Sequence, residues 1–345
     1  MTVPQLLYAI TITLLCILGL LCYAIVNTVI LTNRDQFQNN FYFLALSLSV
    51  PDCLTLLCQL AYAVPAMIVG RAALSPDLEL AAGAIASASW WQISTHVFLI
   101  SGDRFIAIKY PAWYEYFLPI RRVKFLILWT YAYSLILTIL QYSCRCDLLF
   151  IWNAWQLRCR QGAGKCGTFP AVLYLLLSNC TVAAVCVLYV LILFFIRWQS
   201  RMLTMNRCSM LLSRQSVLAL QIAGIVVVLV AYDLCFWIIP YAIDAGIAAK
   251  WLGTSALNLF CVLNSALTPL LYLLYGSRVR RYLCMHFCST SLHTSGMSSV
   301  ELSALSRKTT RERAKERWKE GQKYMGVSME VDPDDKTGNS YFEDF

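Results

Sequence analysis

Apolar residues in this chain gather into long runs separated by short polar stretches. Seven runs stand out, at about 5–31, 41–69, 81–102, 124–143, 170–196, 217–242 and 251–275. A helix needs about 20 apolar residues to cross a hydrocarbon core of about 30 Å. A membrane β-barrel would instead show alternating segments of about ten residues. The pattern therefore predicts an all-α membrane protein, a seven-transmembrane helix bundle. The third run, "AAGAIASASWWQISTHVFLIS", is the least apolar of the seven. Small residues let helix backbones approach closely, so this run is expected inside the bundle.

Composition agrees with the pattern. The chain of 345 residues is 59% hydrophobic and 14% charged, with mean hydropathy +0.60, whereas soluble domains carry about 25% charged residues. The net charge of +9 is no argument for nucleic acid here, because in a membrane protein its distribution matters more than its sum. Thirteen Lys and Arg fall in 32–40, 103–124, 197–216 and just past the seventh run, against six in the alternate loops. Basic loops stay in the cytoplasm. A multi-pass plasma-membrane protein is expected, with its N-terminus extracellular and its C-terminus cytoplasmic. The first run is too long, and too poor in basic residues at its start, for a signal peptide.

Polar groups inside the runs are the candidates for chemistry. Asp52 lies in the second run, where an acid costs several kcal/mol and should face the bundle interior with partners. Its bland reading is a proton-bearing acid that only completes packing. Asn27, Asn264 and Ser265 supply oxygens and an amide in the first and seventh runs. With Asp52 as the metal-ligating group, such a cluster suits water or a hard cation. Asp233 is a second intramembrane acid, in "VLVAYDLCFWIIP", and could share that cluster through water. Pro240 and Pro269 each remove a helix hydrogen bond and are the expected hinges. Phe236 and Trp237 sit beside the first hinge, and Tyr272 follows the second. At the inner end of the third run comes "GDRFIAIKYP", in which Asp103 and Arg104 form an adjacent ion pair. Four of the fifteen cysteines, Cys144, Cys146, Cys159 and Cys166, crowd one polar loop. An extracellular loop is oxidising, and four cysteines allow three pairings.

Several of these segments resemble the rhodopsin-like (class A) G-protein-coupled receptors, over about residues 10–288. "GDRFIAIKYP" is similar to that family's Asp-Arg-Tyr stretch, with Phe105 in place of the tyrosine. "LSLSVPD" resembles the segment whose acid, here Asp52, binds sodium. Asn27 matches the first-helix asparagine and Trp129 the fourth-helix tryptophan. "LNSALTPLLY" resembles Asn-Ser-x-x-Asn-Pro-x-x-Tyr, with Thr268 where asparagine is usual. "CFWIIP" departs from Cys-Trp-x-Pro by one residue, about 100° of helix turn. Glu79 stands where the family has the cysteine that ties the third helix to the outer loop. Such loose matches are similar to the expanded chemosensory receptors of nematodes.

The resemblance implies a receptor and not an enzyme, with no required cofactor and room for a sodium ion. A small molecule or short peptide would bind between the outer helix ends. The sixth helix would then swing outward, freeing Arg104 from Asp103 to meet a heterotrimeric G protein. Ala86 occupies the position of the amine-binding aspartate and Val262 that of the retinal-binding lysine, which argues against both ligand classes. Ala86, Ser87, Trp90, Trp91, Phe236 and Trp237 are the pocket candidates. Leu220 stands where an acid would restrain Arg104, so basal activity is expected.

The organisation read from the chain is a bundle over 1–275, an amphipathic juxtamembrane helix over 276–288, and a cytoplasmic tail over 289–345. Arg278, Arg280 and Arg281 favour anionic membrane lipid, and Cys284 and Cys288 are palmitoylation candidates. The hydroxyl-rich "STSLHTSGMSS" would attract an arrestin if phosphorylated, or serve as a plain linker. The alternative class is a transporter or channel using the buried acids. It calls for inverted repeats or paired broken helices, and neither is visible.

Overall fold

The computed structural model describes residues 3–33, 37, 39–69, 74–143, 146–151, 156–161, 169–203, 223–235, 238, 250–276, 279–280 and 282–283. Its helices follow the apolar runs in order. They are α1 (Val3–Thr32), α2 (Asn40–Val69), α3 (Pro76–Lys109), α4 (Ile120–Ser143), α5 (Phe169–Leu203), α6 (Ala223–Cys235) and α7 (Lys250–Tyr275). By length and composition, α1, α2, α4 and α5 are apolar enough to cross a membrane. The described part of α6 and the Asn258–Leu274 part of α7 are shorter apolar helices.

The burial pattern inverts that of a soluble protein. On α4 the buried residues include Thr130, Ser134, Thr138 and Gln141, a polar stripe at helical spacing. Phe125, Leu128, Trp129, Leu135, Ile136 and Ile139 face outward. A helix in water would turn the opposite way. Here the outer face meets hydrocarbon, and the polar groups find one another inside.

α3 is the central helix, as its small residues predicted. It packs against α2, α4 and α5, while α1 packs against α7. Pro76 at its first turn follows Ser75 in extended conformation, and Asp77 and Glu79 lie in that turn. Proline there gives up no helix bond, and the acids suit the positive end of the helix dipole.

α2 is interrupted by a π-helical segment, Gln59–Ala63, and continues through Val64–Val69. Pro51 and Pro269 are accommodated inside α2 and α7. A Cβ on Gly276 would collide with the Tyr272 carbonyl oxygen, which accounts for glycine where α7 ends. A 3₁₀ turn, Pro111–Trp113, and one helical turn, Tyr114–Phe117, follow α3.

The cysteine-bearing loop carries an element that the sequence pattern did not announce. β1 (Cys146–Ile151) pairs antiparallel with β2 (Gln156–Gln161). β1 runs against α3 and α4, and β2 against α7. The hairpin therefore covers the end of the bundle opposite the Asp103–Arg104 pair.

One compact unit is Met1–Tyr282 and a second is Leu283–Phe345. Apart from Leu283, the second lies outside the described residues, as do Cys284, Cys288 and the hydroxyl-rich tail.

α1 packs closely on α2 and α7 at Gly19. A Cβ there would stand 2.9 Å from Leu56 Cδ1 and 3.1 Å from Ala266 Cα. Backbone cannot yield as a side-chain tip can, so Gly19→Leu should push α1 off α7 at a cost of about 1–3 kcal/mol. A Cβ at Gly102 meets nothing within 4 Å, which makes Gly102→Ala the control. Thermal unfolding in detergent should show a lower midpoint for the first and little change for the second.

Candidate functional site

The inner end of the bundle holds the pair read from "GDRF". Arg104 donates to Asp103 Oδ2 from Nε at 2.9 Å and from Nη2 at 2.5 Å. Asp103 is 3% exposed and Arg104 9%. A charge so buried needs a partner, and removing one member leaves the other uncompensated.

Neighbours in sequence point about 100° apart on a helix, so the carboxylate needs a second anchor. Tyr114, in the loop after α3, supplies it by donating to Asp103 Oδ1 at 2.5 Å. Burial first, and then the Asp103 charge, hold the Tyr114 hydroxyl above its usual pKa, so it remains a donor. Asn40, the first residue of α2, donates to the Tyr114 hydroxyl at 3.3 Å and to the Leu118 carbonyl at 2.7 Å.

On its other side the Arg104 guanidinium lies 4.6 Å over the Phe41 ring. Phe41 in turn meets the Tyr272 ring at 5.7 Å. Tyr272 is buried and its hydroxyl has no hydrogen-bond partner. α2, α3, α7 and the loop thus converge on Arg104. Phe105 faces elsewhere, edge-on to Phe195 of α5 at 5.9 Å.

In the middle of the bundle the expected polar cluster is divided. Tyr23 donates to Asp52 Oδ2 in a short hydrogen bond. Ser265 lies beside the same carboxylate. Asp52 Oδ1 and Asn264 Oδ1 are buried without hydrogen-bond partners, and the Ser265 hydroxyl turns to the Asp52 carboxylate. Asn27, expected among them, donates to Ser49 Oγ at 2.9 Å, because that hydroxyl lies one turn before Asp52 on α2. Thr268 donates to the Asn264 carbonyl of its own helix at 3.0 Å, as a shorter side chain in place of asparagine can. Asp233 sits near Cys186 of α5.

The pocket candidates separate by helical face. Ser87 donates to Gln141 Oε1 of α4 at 2.6 Å, and Trp91 packs edge-on to Tyr133 of α4 at 6.5 Å. Four residues apart, these two share one face, which is committed to α4. Ala86 and Trp90 share the adjoining face, and Trp90 meets Tyr232 of α6 at 4.6 Å. Phe236, Trp237 and Pro240, the expected hinge, lie outside the described residues, as do Cys144 and Cys166. Cys146 pairs with Gln161 and Cys159 with Leu148, two register positions apart in the hairpin.

Trp129 lies on the outward face of α4. It is 60% exposed. Tyr131 of α4 reaches inward and donates to the Ser47 carbonyl at 3.0 Å. A network missed from sequence surrounds His96, which is fully buried. It joins Ser47 at 2.8 Å, Gln92 at 3.0 Å and Thr130 at 3.5 Å. Gln92 and His96 are four apart, one turn, and that spacing was the available signal. A second missed group is Gln59, in the π segment, donating to Asn258 Oδ1 of α7 at 2.9 Å.

With the geometry in view, the comparison with known families is specific. The family model described as serpentine type 7TM GPCR chemoreceptor Srx matches residues 13–263, well over half of the chain. No curated protein matches. The matched span contains Asn27, Asp52, Asp103 and Arg104, and ends one residue before Asn264.

Tyr23→Phe should leave Asp52 Oδ2 buried without its donor, at about 1–3 kcal/mol of stability. Thermal unfolding in detergent reads the loss. An unchanged midpoint would show that the bond contributes nothing to the fold.

Proposed function

This chain belongs to the Srx family of serpentine seven-transmembrane G-protein-coupled chemoreceptors, and on that premise we propose that it converts binding of an extracellular small molecule or short peptide into nucleotide exchange on a heterotrimeric G protein. The observation that carries the coupling reading is the state of Arg104. It is buried at the inner rim of the bundle, on an acid that is itself held by a loop tyrosine and, through it, by α2. The closed arrangement satisfies every charge locally. Opening would release a guanidinium whose five donors suit the carbonyls at a partner helix's C-terminus.

A ligand acts by its differential affinity for two arrangements. Ala86 and Trp90 on α3 and Tyr232 on α6 are where it would register, since contraction there moves α6 relative to α3. The pocket residues on α3 are neutral, which favours an uncharged ligand. The hairpin opposite the Arg104 end is the natural outer lid. Basic residues at the Arg104 end support an extracellular N-terminus and a cytoplasmic tail in the plasma membrane. Phosphates on 289–299 would recruit an arrestin.

A sodium ion is proposed at Asp52. The buried oxygens Asp52 Oδ1 and Asn264 Oδ1 lack hydrogen-bond partners, Ser265 Oγ stands beside the same carboxylate, and all three are hard donors of the kind sodium prefers. A bound ion would neutralise the acid and tie α2 to α7. Asn27 Nδ2 and the Thr268 hydroxyl hydrogen are given to Ser49 and to the Asn264 carbonyl, which leaves their oxygens as further candidate donors to the ion.

Arg104→Ala, screened against a ligand panel at matched surface expression, should lose agonist-driven nucleotide exchange by at least about tenfold, the order of one lost charged contact of 1.4 kcal/mol. Normal exchange would contradict the coupling role. In the same assay, replacing sodium with choline should alter basal exchange in the native chain but not in Asp52→Asn.

A further inference from the structure

The way α3 ends sets up a cluster that the coupling reading has not used. Pro111 disfavours the helical region for the residue before it, and Tyr110 leaves the helix at φ −129° and ψ 59°. Lys109 is therefore the last residue of α3, where a cation suits the negative end of the helix dipole. Phe105 lies four residues earlier, on the same face of the helix. Its ring stands edge-on to Phe195 of α5, so the same face of α3 meets the inner part of α5.

Lys109 Nζ lies among three rings. It is 4.9 Å from the centroid of Tyr110, 5.2 Å from that of Phe195 and 5.4 Å from that of Phe105. All three fall within the distance of about 6 Å at which a ring face attracts an ammonium. Among the described residues no carboxylate pairs with it. The three rings are not equivalent. Phe105 and Tyr110 belong to the same stretch of chain as Lys109 and travel with it. Phe195 belongs to α5, so its contact alone depends on where α5 stands. Tyr110 also meets Phe117 at 6.2 Å, in the short loop helix that brings Tyr114 to Asp103. The ammonium thus joins α5 to the loop that holds the buried acid.

We propose that Lys109 is a second restraint on the closed state, a cation that holds the inner part of α5 on α3 through the Phe195 ring and is released when the bundle opens for coupling. This rests on the receptor reading above and adds α5 to it. Moving α5 off α3 would take one ring of the three from the ammonium and leave the other two in place. The restraint therefore favours the closed arrangement by the worth of one ring contact. Only a cation can make that contact, so an apolar side chain of the same length loses it while arginine keeps it.

The test uses the full-length chain in detergent and two readouts. Reductive methylation places isotopically labelled methyl groups on each lysine nitrogen and keeps its charge. The Lys109 signal, identified by its loss in Lys109→Arg, should lie upfield of the other lysines in the NMR spectrum, because ring faces shield what stands over them. Phe195→Leu should move it part of the way back. Phe125→Leu, which removes an outward ring of α4, should leave it in place. The second readout is agonist-independent nucleotide exchange at matched surface expression. Lys109→Met and Phe195→Leu should each raise it about threefold, the order of one cation–π contact at a partly exposed site. Lys109→Arg should stay near native, and the double variant Lys109→Met with Phe195→Leu should rise no further than either alone. An unshifted Lys109 signal, or one that ignores Phe195→Leu, would overturn the contact. Equal effects of the Met and Arg substitutions, or rises that add, would overturn its role as a restraint. A fall in exchange with Lys109→Met would make the lysine a G-protein contact and would likewise overturn it. The NMR readout needs no G protein, so failure of the contact is told apart from failure of the coupling reading, which Arg104→Ala decides.

Discussion

Everything at the inner end of this bundle follows from one buried ion pair whose two members are adjacent on the same helix. Adjacent helical side chains diverge, so Arg104 must fold back to reach Asp103. The carboxylate then needs holding from outside α3. The loop after α3 folds into a 3₁₀ turn and one helical turn that deliver Tyr114 to it. Asn40 fastens the same loop to the start of α2. The Phe41 ring closes the remaining side of Arg104 and passes contact on to Tyr272 of α7. A single charge that hydrocarbon cannot tolerate alone thereby fixes three helices and a loop. That arrangement is stable while closed and has an obvious way to open.

The rest of the interior obeys the same rule with neutral groups. Where the outside is lipid, hydrophobicity no longer drives residues inward, and polar side chains become the specific contacts between helices. The stripe on α4, the network around His96 and the pairing of Gln59 with Asn258 are all of this kind. They hold α3 against α2 and α4, and α2 against α7. The side of α3 toward α6 carries an aromatic contact, Trp90 on Tyr232.

Much of this was legible in the sequence because it depends on run length and isolated polar residues. The apolar runs located the helices, and the small residues of the third run located the centre. Asp52 and the Asp103–Arg104 pair announced themselves as charges among apolar neighbours. What stayed hidden depends on rotation and on distant chain. Ser87 and Trp91 were grouped with Trp90 by proximity in sequence, but one residue of helix turn sends them to α4. Tyr131, which nothing in the sequence singled out, is the α4 ring that reaches Ser47. Tyr23 and Tyr114 are tyrosines among nineteen, and nothing local marks them as the partners of buried acids. The π segment of α2 and the hairpin have no hydrophobic period that would have revealed them.

The central claim is that Tyr114 holds the closed state by anchoring Asp103. It is tested most directly by agonist-independent nucleotide exchange in Tyr114→Phe at matched surface expression, in a cycle with Asp103→Asn. The account predicts a severalfold rise in basal exchange for Tyr114→Phe, and no further rise when it is added to Asp103→Asn, since both act on one restraint. Unchanged basal exchange in Tyr114→Phe, or a rise that simply adds to that of Asp103→Asn, would contradict it.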